Sequence, residues 1–140
     1  MHQLTRFIIP SILFLSLFSL HSFAAEPDEF GAVNAAKNFL EELDQSEFSA
    51  AWNRTSLINQ SYTDHPEWFK KVLAVRPHLG QILKRSLKKI SRHEGWVGLP
   101  DGQYLRVSFT SVFLNKADSL ETVIVVKEQG HWLVSSYHLR

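Results

Sequence analysis

The chain has 140 residues, no cysteine, and 15 basic against 14 acidic side chains. Without thiols there is no cysteine nucleophile, no thiolate metal site and no acceptor for a lipoprotein's lipid; the near-neutral charge argues against a general nucleic-acid binder, which draws on many basic contacts to phosphate. The length suits one domain whose core can hold without disulfides.

In chain order, the first element is a leader. Arg6 precedes an almost wholly apolar run over residues 7–20, interrupted by Pro10, and Ser22, Phe23 and Ala24 place small residues three and one positions before a cut. This is the pattern of a secretory signal peptide cleaved after Ala24, with residues 25–140 as the mature domain. The apolar run is shorter than the roughly 20 residues a membrane-spanning helix needs, so no stable membrane span is expected after cleavage. The leader contains one base and no acid, so the mature chain carries 14 bases (15 less Arg6) and 14 acids. The expected address is exported, periplasmic or secreted. Asn53 and Asn59 stand in glycosylation acceptor triplets, short patterns that matter only in a eukaryotic secretory pathway.

Phe30, Val33, Ala36, Leu40 and Leu43 recur in steps of three and four and predict an amphipathic first helix. Asp44 or Ser46 could cap a second, in which Phe48, Ala51 and Trp52 share a face. Asp64, Pro66 and Glu67 form a helix start ahead of Trp68, Phe69, Val72 and Leu73, and the Arg76-Pro77 pair predicts the end of this third helix. Residues 79–92 admit two readings. Leu79, Ile82, Leu83, Leu87 and Ile90 fit one face of a helix with Lys84, Arg85, Lys88, Lys89 and Arg92 opposite, which the pattern favours; the same lysines would suit an exposed edge strand. Beyond them the period changes to two: Leu105, Val107, Phe109 and Phe113 alternate with polar residues after a Pro100-Asp101-Gly102 turn. A polar connection over 115–118, a β-branched run over 122–127 and a Gln129-Gly130 turn into 132–139 complete a three-strand meander.

From Trp68 onward the chain resembles an exported bacterial family, the one numbered 4019 among the domains of unknown function. The matching pieces are Trp68; Val75 and Arg76 with Leu79 and Gly80; Arg85 and Leu87; residues 99–104 (Leu-Pro-Asp-Gly-Gln-Tyr); Phe113 with Asn115 and Lys116; Glu121, Thr122 and Val123; and Gly130 to Val134 with Tyr137. The chain departs from the pattern at Ser136 and His78. The resemblance implies an α+β fold of nuclear transport factor 2-like or cystatin-like cone type, with N-terminal helices on a curved antiparallel sheet. It also implies a strand over residues 81–92, and that reading is adopted over the helix. The family carries no established activity.

Cone folds enclose a cavity, so the candidate ligand-binding residues are polar groups able to line one: Arg76, Arg85, Tyr104, Glu121 and Tyr137. An arginine beside a carboxylate can orient an anionic or carbonyl-bearing ligand, and the competing reading is an arginine-glutamate bridge tying sheet to helix. Of the histidines after the leader, none has zinc-motif spacing, and the odd separation of His131 and His138 predicts opposite faces of one strand; no metal and no cofactor is expected. His65 belongs to a helix start. No nucleophile elbow or phosphate-cradling glycine loop is present. Eight bases between Lys70 and Arg92 contrast with seven acids between Glu26 and Glu47. The leading expectation is a non-catalytic exported domain binding a small ligand or protein partner through its cavity or sheet face. A cone-fold enzyme using a carboxylate and tyrosines, and a homodimeric accessory protein, are the alternatives. Trp52, Trp68 and Trp132 are assigned to the core.

Overall fold

The structure, a computed structural model, describes residues 27–140, so the expected leader lies outside the described residues. Four helices precede four strands: α1 (Pro27–Asp44), α2 (Phe48–Asn53), α3 (Leu57–Tyr62), α4 (His65–Leu79), β1 (Ile82–His93), β2 (Tyr104–Phe113), β3 (Lys116–Glu128) and β4 (His131–Leu139). The strands form one antiparallel meander in the order β1-β2-β3-β4. This is the expected α+β architecture. No described helix is long and apolar enough to cross a membrane.

Local chemistry accounts for most boundaries. Asp64 accepts the Glu67 amide at 2.8 Å and starts α4, as the sequence predicts. The short α3 is an addition to the three expected helices; Ser56 caps it by accepting the Asn59 amide at 3.0 Å. Neither Asp44 nor Ser46 caps α2, whose N-cap is Glu47 without a side-chain bond. Ser46 instead takes a turn conformation at φ 62°. Helix α4 also runs through Pro77, past its expected end, and stops at Gly80 with φ 70° and ψ −162°, a region open essentially to glycine alone. Support from outside the helix carries it there: the Asn115 side chain donates to the His78 carbonyl at 3.2 Å, and its amide to the Leu79 carbonyl at 2.9 Å.

The helical pattern over residues 79–92 is overturned in favour of the strand. Register shifts at Leu83 and Lys88 leave each without a direct partner on β2, while Ile82, Arg85, Leu87 and Ile90 pair with Phe113, Ser111, Phe109 and Val107. Those four face the helices in steps of three, two and three, because each bulge inserts one residue into the period of two. Two bulges thus hide the alternation that would mark a strand. The β2–β3 connection is also shorter than expected, since β3 begins at Lys116 and leaves only Leu114 and Asn115 between strands. Gln129 and Gly130, both at positive φ, form the two-residue turn into β4.

The core lies between α1 and one face of the sheet. Ala32, Val33, Ala36, Phe39, Leu40 and Leu43 meet Leu105, Val107, Phe109, Val123, Val125 and Val134, with Phe48, Ala51, Trp68 and Val72 closing one side. Trp68 is buried, and Trp52 and Trp132 pack half-buried against this core, as assigned. Phe30 departs from its expected stripe and is 65% exposed. Asp28 ties the first turn of α1 to the sheet through Lys127 at 2.7 Å and the Trp132 indole at 3.3 Å. The opposite sheet face is covered at one end only, where Tyr104, Ile124 and Val126 pack with Ile58, Trp96 and Leu99.

Candidate functional site

Four of the five candidate residues meet at the end of α1. Glu121 is fully buried on β3; its Oε1 accepts Arg76 Nη1 at 2.9 Å and the Tyr137 hydroxyl at 2.9 Å. Its Oε2 accepts Arg85 Nε at 2.7 Å and the Ser111 hydroxyl at 2.5 Å. Arg85 then grips Asp44 with both terminal nitrogens, at 2.6 and 3.0 Å. Arg76 Nη2 closes the ring by donating to Asp44 Oδ1. Each carboxylate therefore bridges both guanidiniums, and the four charges cancel. Arg76 also lies over the Phe113 ring, 5.3 Å from its centroid, and donates to the Tyr137 oxygen at 3.0 Å.

This arrangement fixes protonation as well as position. Burial alone would push the Glu121 carboxyl up, yet hydrogen bonds and charge from Arg85, the Ser111 hydroxyl and the Arg76 charge hold it below the ordinary glutamate range. Burial disfavours the Arg85 cation, but its bonds to Asp44 and Glu121 more than offset this and hold its proton tighter than usual. Burial pushes the Tyr137 phenol up, and the neighbouring Glu121 charge pushes it further. Every acceptor site of Glu121 is taken, leaving neither a proton to give nor a lone pair to offer a substrate.

Sequence reasoning missed Asp44 and Ser111. A signal existed for each: Asp44 is an acid in the last turn of a helix, where the dipole disfavours negative charge, and Ser111 is a hydroxyl on the apolar face of β2. Tyr104 stands apart from the other four. It points to the opposite sheet face and donates to the Pro100 carbonyl at 2.8 Å. His131 and His138 oppose Glu128 and Thr122 on β3, so a bulge at Ser135 puts both on the same face, contrary to the parity argument. They remain six strand positions apart, and no cluster able to hold a metal occurs among the described residues. His65 begins α4 and packs against Trp52 and Phe69.

A second polar region lies on the uncovered end of the outer sheet face. There a trough of about 830 Å³ runs between β1 on one side and α3 and α4 on the other. Its floor is a rung of directly opposed residues, Lys89, Ser108, Thr122 and His138, one from each strand. Lys88 and Arg106 add cations, as does Lys71, which is paired with Glu67 at 2.9 Å, and no aspartate or glutamate side chain lines it. Apolar side chains, among them Trp68, Val75 and Leu120, form the rest of its wall, and Arg76 and Tyr137 of the buried cluster border it. A smaller cavity of about 250 Å³ lies beside Arg85 between α1 and β1.

A family profile described as a protein of unknown function (DUF4019) matches residues 35–137. The chain belongs to this family. A crystal structure of a Campylobacter jejuni protein, described as a candidate NTF2-like transpeptidase, is 16% identical with a TM-score of 0.50, covering 79% of this chain and 97% of that one. At this identity the likeness bears on the fold, which is nuclear transport factor 2-like. No curated protein matches the chain. The family match takes in α4, strands β1 to β3, β4 as far as Tyr137, and the ion-paired cluster from Asp44 to Tyr137.

Proposed function

We propose that the mature chain, residues 25–140, is an exported, periplasmic, non-catalytic domain that binds a small ligand or protein partner on the open side of its sheet. The observation that carries this reading is the contrast in how charge is used. The buried cluster spends every charge on another member, whereas the trough gathers cations around an uncovered floor. Export rests on the leader pattern of residues 1–24.

The enzyme alternative is the weaker one on this geometry. Acid–base chemistry needs a group able to exchange a proton near neutral pH within reach of a substrate. Glu121 is held ionised by two arginines, and Tyr137 is held protonated while donating to it. A dimer through the open sheet face is disfavoured too, since two copies would set Lys88, Lys89 and Arg106 against like charges. The test is native mass spectrometry of the chain expressed with its own leader and recovered from the exported fraction. A mass beginning at Ala25 with extra mass lost on denaturation supports the proposal. A bare chain retained in the cytoplasm overturns it.

A further inference from the structure

We infer that the trough is a binding site for an acidic glycan, a short chain of sugars bearing carboxylate or similar oxyanions. This deepens the binding reading above and rests on it. The first observation is the bulge at Lys88. Along a regular strand Lys88 and Lys89 would point to opposite faces, but the register passes from Leu87↔Phe109 to Lys89↔Ser108, and both lysines line the trough. Two lysines adjacent in sequence thereby border the same trough. Among the described residues neither has a carboxylate partner, and a β-bulge that re-aims side chains is a feature of functional edges.

The second observation is Arg106, which lies one rung along the same face. Its guanidinium sits over the Trp96 ring, 5.0 Å from the centroid, and Trp96 is itself braced against His93. The stacking restrains the side chain while leaving its fork of N–H donors without a carboxylate among the described residues, a preorganised receptor for an oxyanion. The third is the floor. Ser108 is buried and its hydroxyl stands 3.4 Å from that of Thr122, with Ser91 and Ser136 on the neighbouring rung. Short hydroxyls at the bottom of a cation-walled trough suit a polyhydroxylated ligand. Trp68, Val75, Leu120 and Leu139 add apolar wall against which the carbon face of a sugar ring can pack, and a flat lipid surface cannot reach a buried serine. The rung crosses all four strands, about 14 Å at the usual strand spacing, which favours a chain of sugars over a single ring.

The test is calorimetric titration of the mature protein with a galacturonate trimer, against the galacturonate monomer, neutral maltotriose, inorganic phosphate and an acidic hexapeptide. The trimer is expected to bind, the monomer more weakly, and maltotriose not at all. Raising salt from about 20 to about 200 mM should weaken the trimer severalfold, as expected for screened charge pairs. Lys88→Ala with Lys89→Ala, and separately Arg106→Ala, should each cost about tenfold in affinity with unchanged melting, and Lys116→Ala, outside the trough, should change nothing. No binding of the trimer, equal binding of maltotriose, phosphate or monomer, tighter binding of the peptide, or unchanged affinity in the trough variants overturns the assignment. If a native ligand is retained by the wild type and lost from the lysine double variant while the trimer fails to bind, the site stands and the glycan class falls.

Discussion

Arg85 and Lys89 lie four residues apart on the same strand and carry the same charge, yet they belong to opposite regimes. Arg85 faces the helices, 13% exposed, with both its carboxylate partners in place. Lys89 faces outward into the trough, and among the described residues no carboxylate reaches it. A bulge at Lys88 separates the two. Charge taken out of water must be matched by charge and hydrogen bonds, so the inner region is a closed neutral ring; charge left in water can stay unmatched until a ligand supplies the counterpart. The difference separates what holds this fold together from what is free to recognise something else.

The strongest way to break that comparison is to open the ring. Glu121→Ala removes the carboxylate that both arginines share, leaving two buried guanidiniums to one Asp44, and should cost about 3–5 kcal/mol by urea unfolding. A loss below about 1 kcal/mol would mean that water already satisfies those arginines, and the distinction between regions would collapse. The same group sets the acid limb of stability. Because the folded-state pKa of Glu121 is lowered, its contribution is fully present above the unfolded value, about 4.3, and is lost as pH falls through the folded one. Glu121→Gln should flatten that limb, and an unchanged acid limb would assign it to other carboxylates.

Next in size is the coupling inside the ring. Arg85→Met and Asp44→Leu should each destabilise by about 2–4 kcal/mol, since each strands a partly buried charge, while the double variant should lose about 1–3 kcal/mol less than their sum. Strict additivity would show that Arg85 and Asp44 act independently despite their two-pronged contact.

How much of this was legible differs between the regions for physical reasons. The meander, the start of α4 and four members of the inner cluster could be read, because alternation, an Asp-Pro-Glu start and polar residues inside apolar strands are local signals. The helix-or-strand choice over residues 79–92 could not be made from spacing, because bulges at Leu83 and Lys88 break the strand period of two and introduce steps of three, and only the family resemblance decided it. The same cause misplaced His138 relative to His131, through a bulge in β4. Asp44 escaped because the sequence offers it as a cap, whereas two arginines distant in sequence claim it. The trough was legible only as an excess of bases. That Lys88 and Lys89 share a face depends on a register no local pattern encodes.

A smaller effect tests how far the ring extends. Tyr137→Phe deletes the hydroxyl that donates to Glu121 and leaves the ring packed against Phe39, so about 1.5 kcal/mol should be lost. It should also flatten the alkaline limb of stability: a phenol whose folded pKa is raised contributes stability below the unfolded value, near 10, and loses it as pH rises further, and phenylalanine has no such contribution to lose. No change on either count would place Tyr137 outside the network.

The smallest expected effect is the sharpest test of the contrast. Reversing charge at Lys89 with Lys89→Glu should shift stability by no more than about 0.5 kcal/mol, because the side chain is solvated and among the described residues bonded to nothing. Arg85→Glu, the same reversal four residues earlier, places a third carboxylate against Asp44 and Glu121 and should unfold the domain. Measured side by side in one denaturation series, the pair changes a single strand by identical chemistry. If Lys89→Glu proved as damaging as Arg85→Glu, the trough lysines would be structural and the outer face would need a different account. If Lys89→Glu is silent in stability yet alters binding, charge on the two sides of β1 serves the two purposes that its burial predicts.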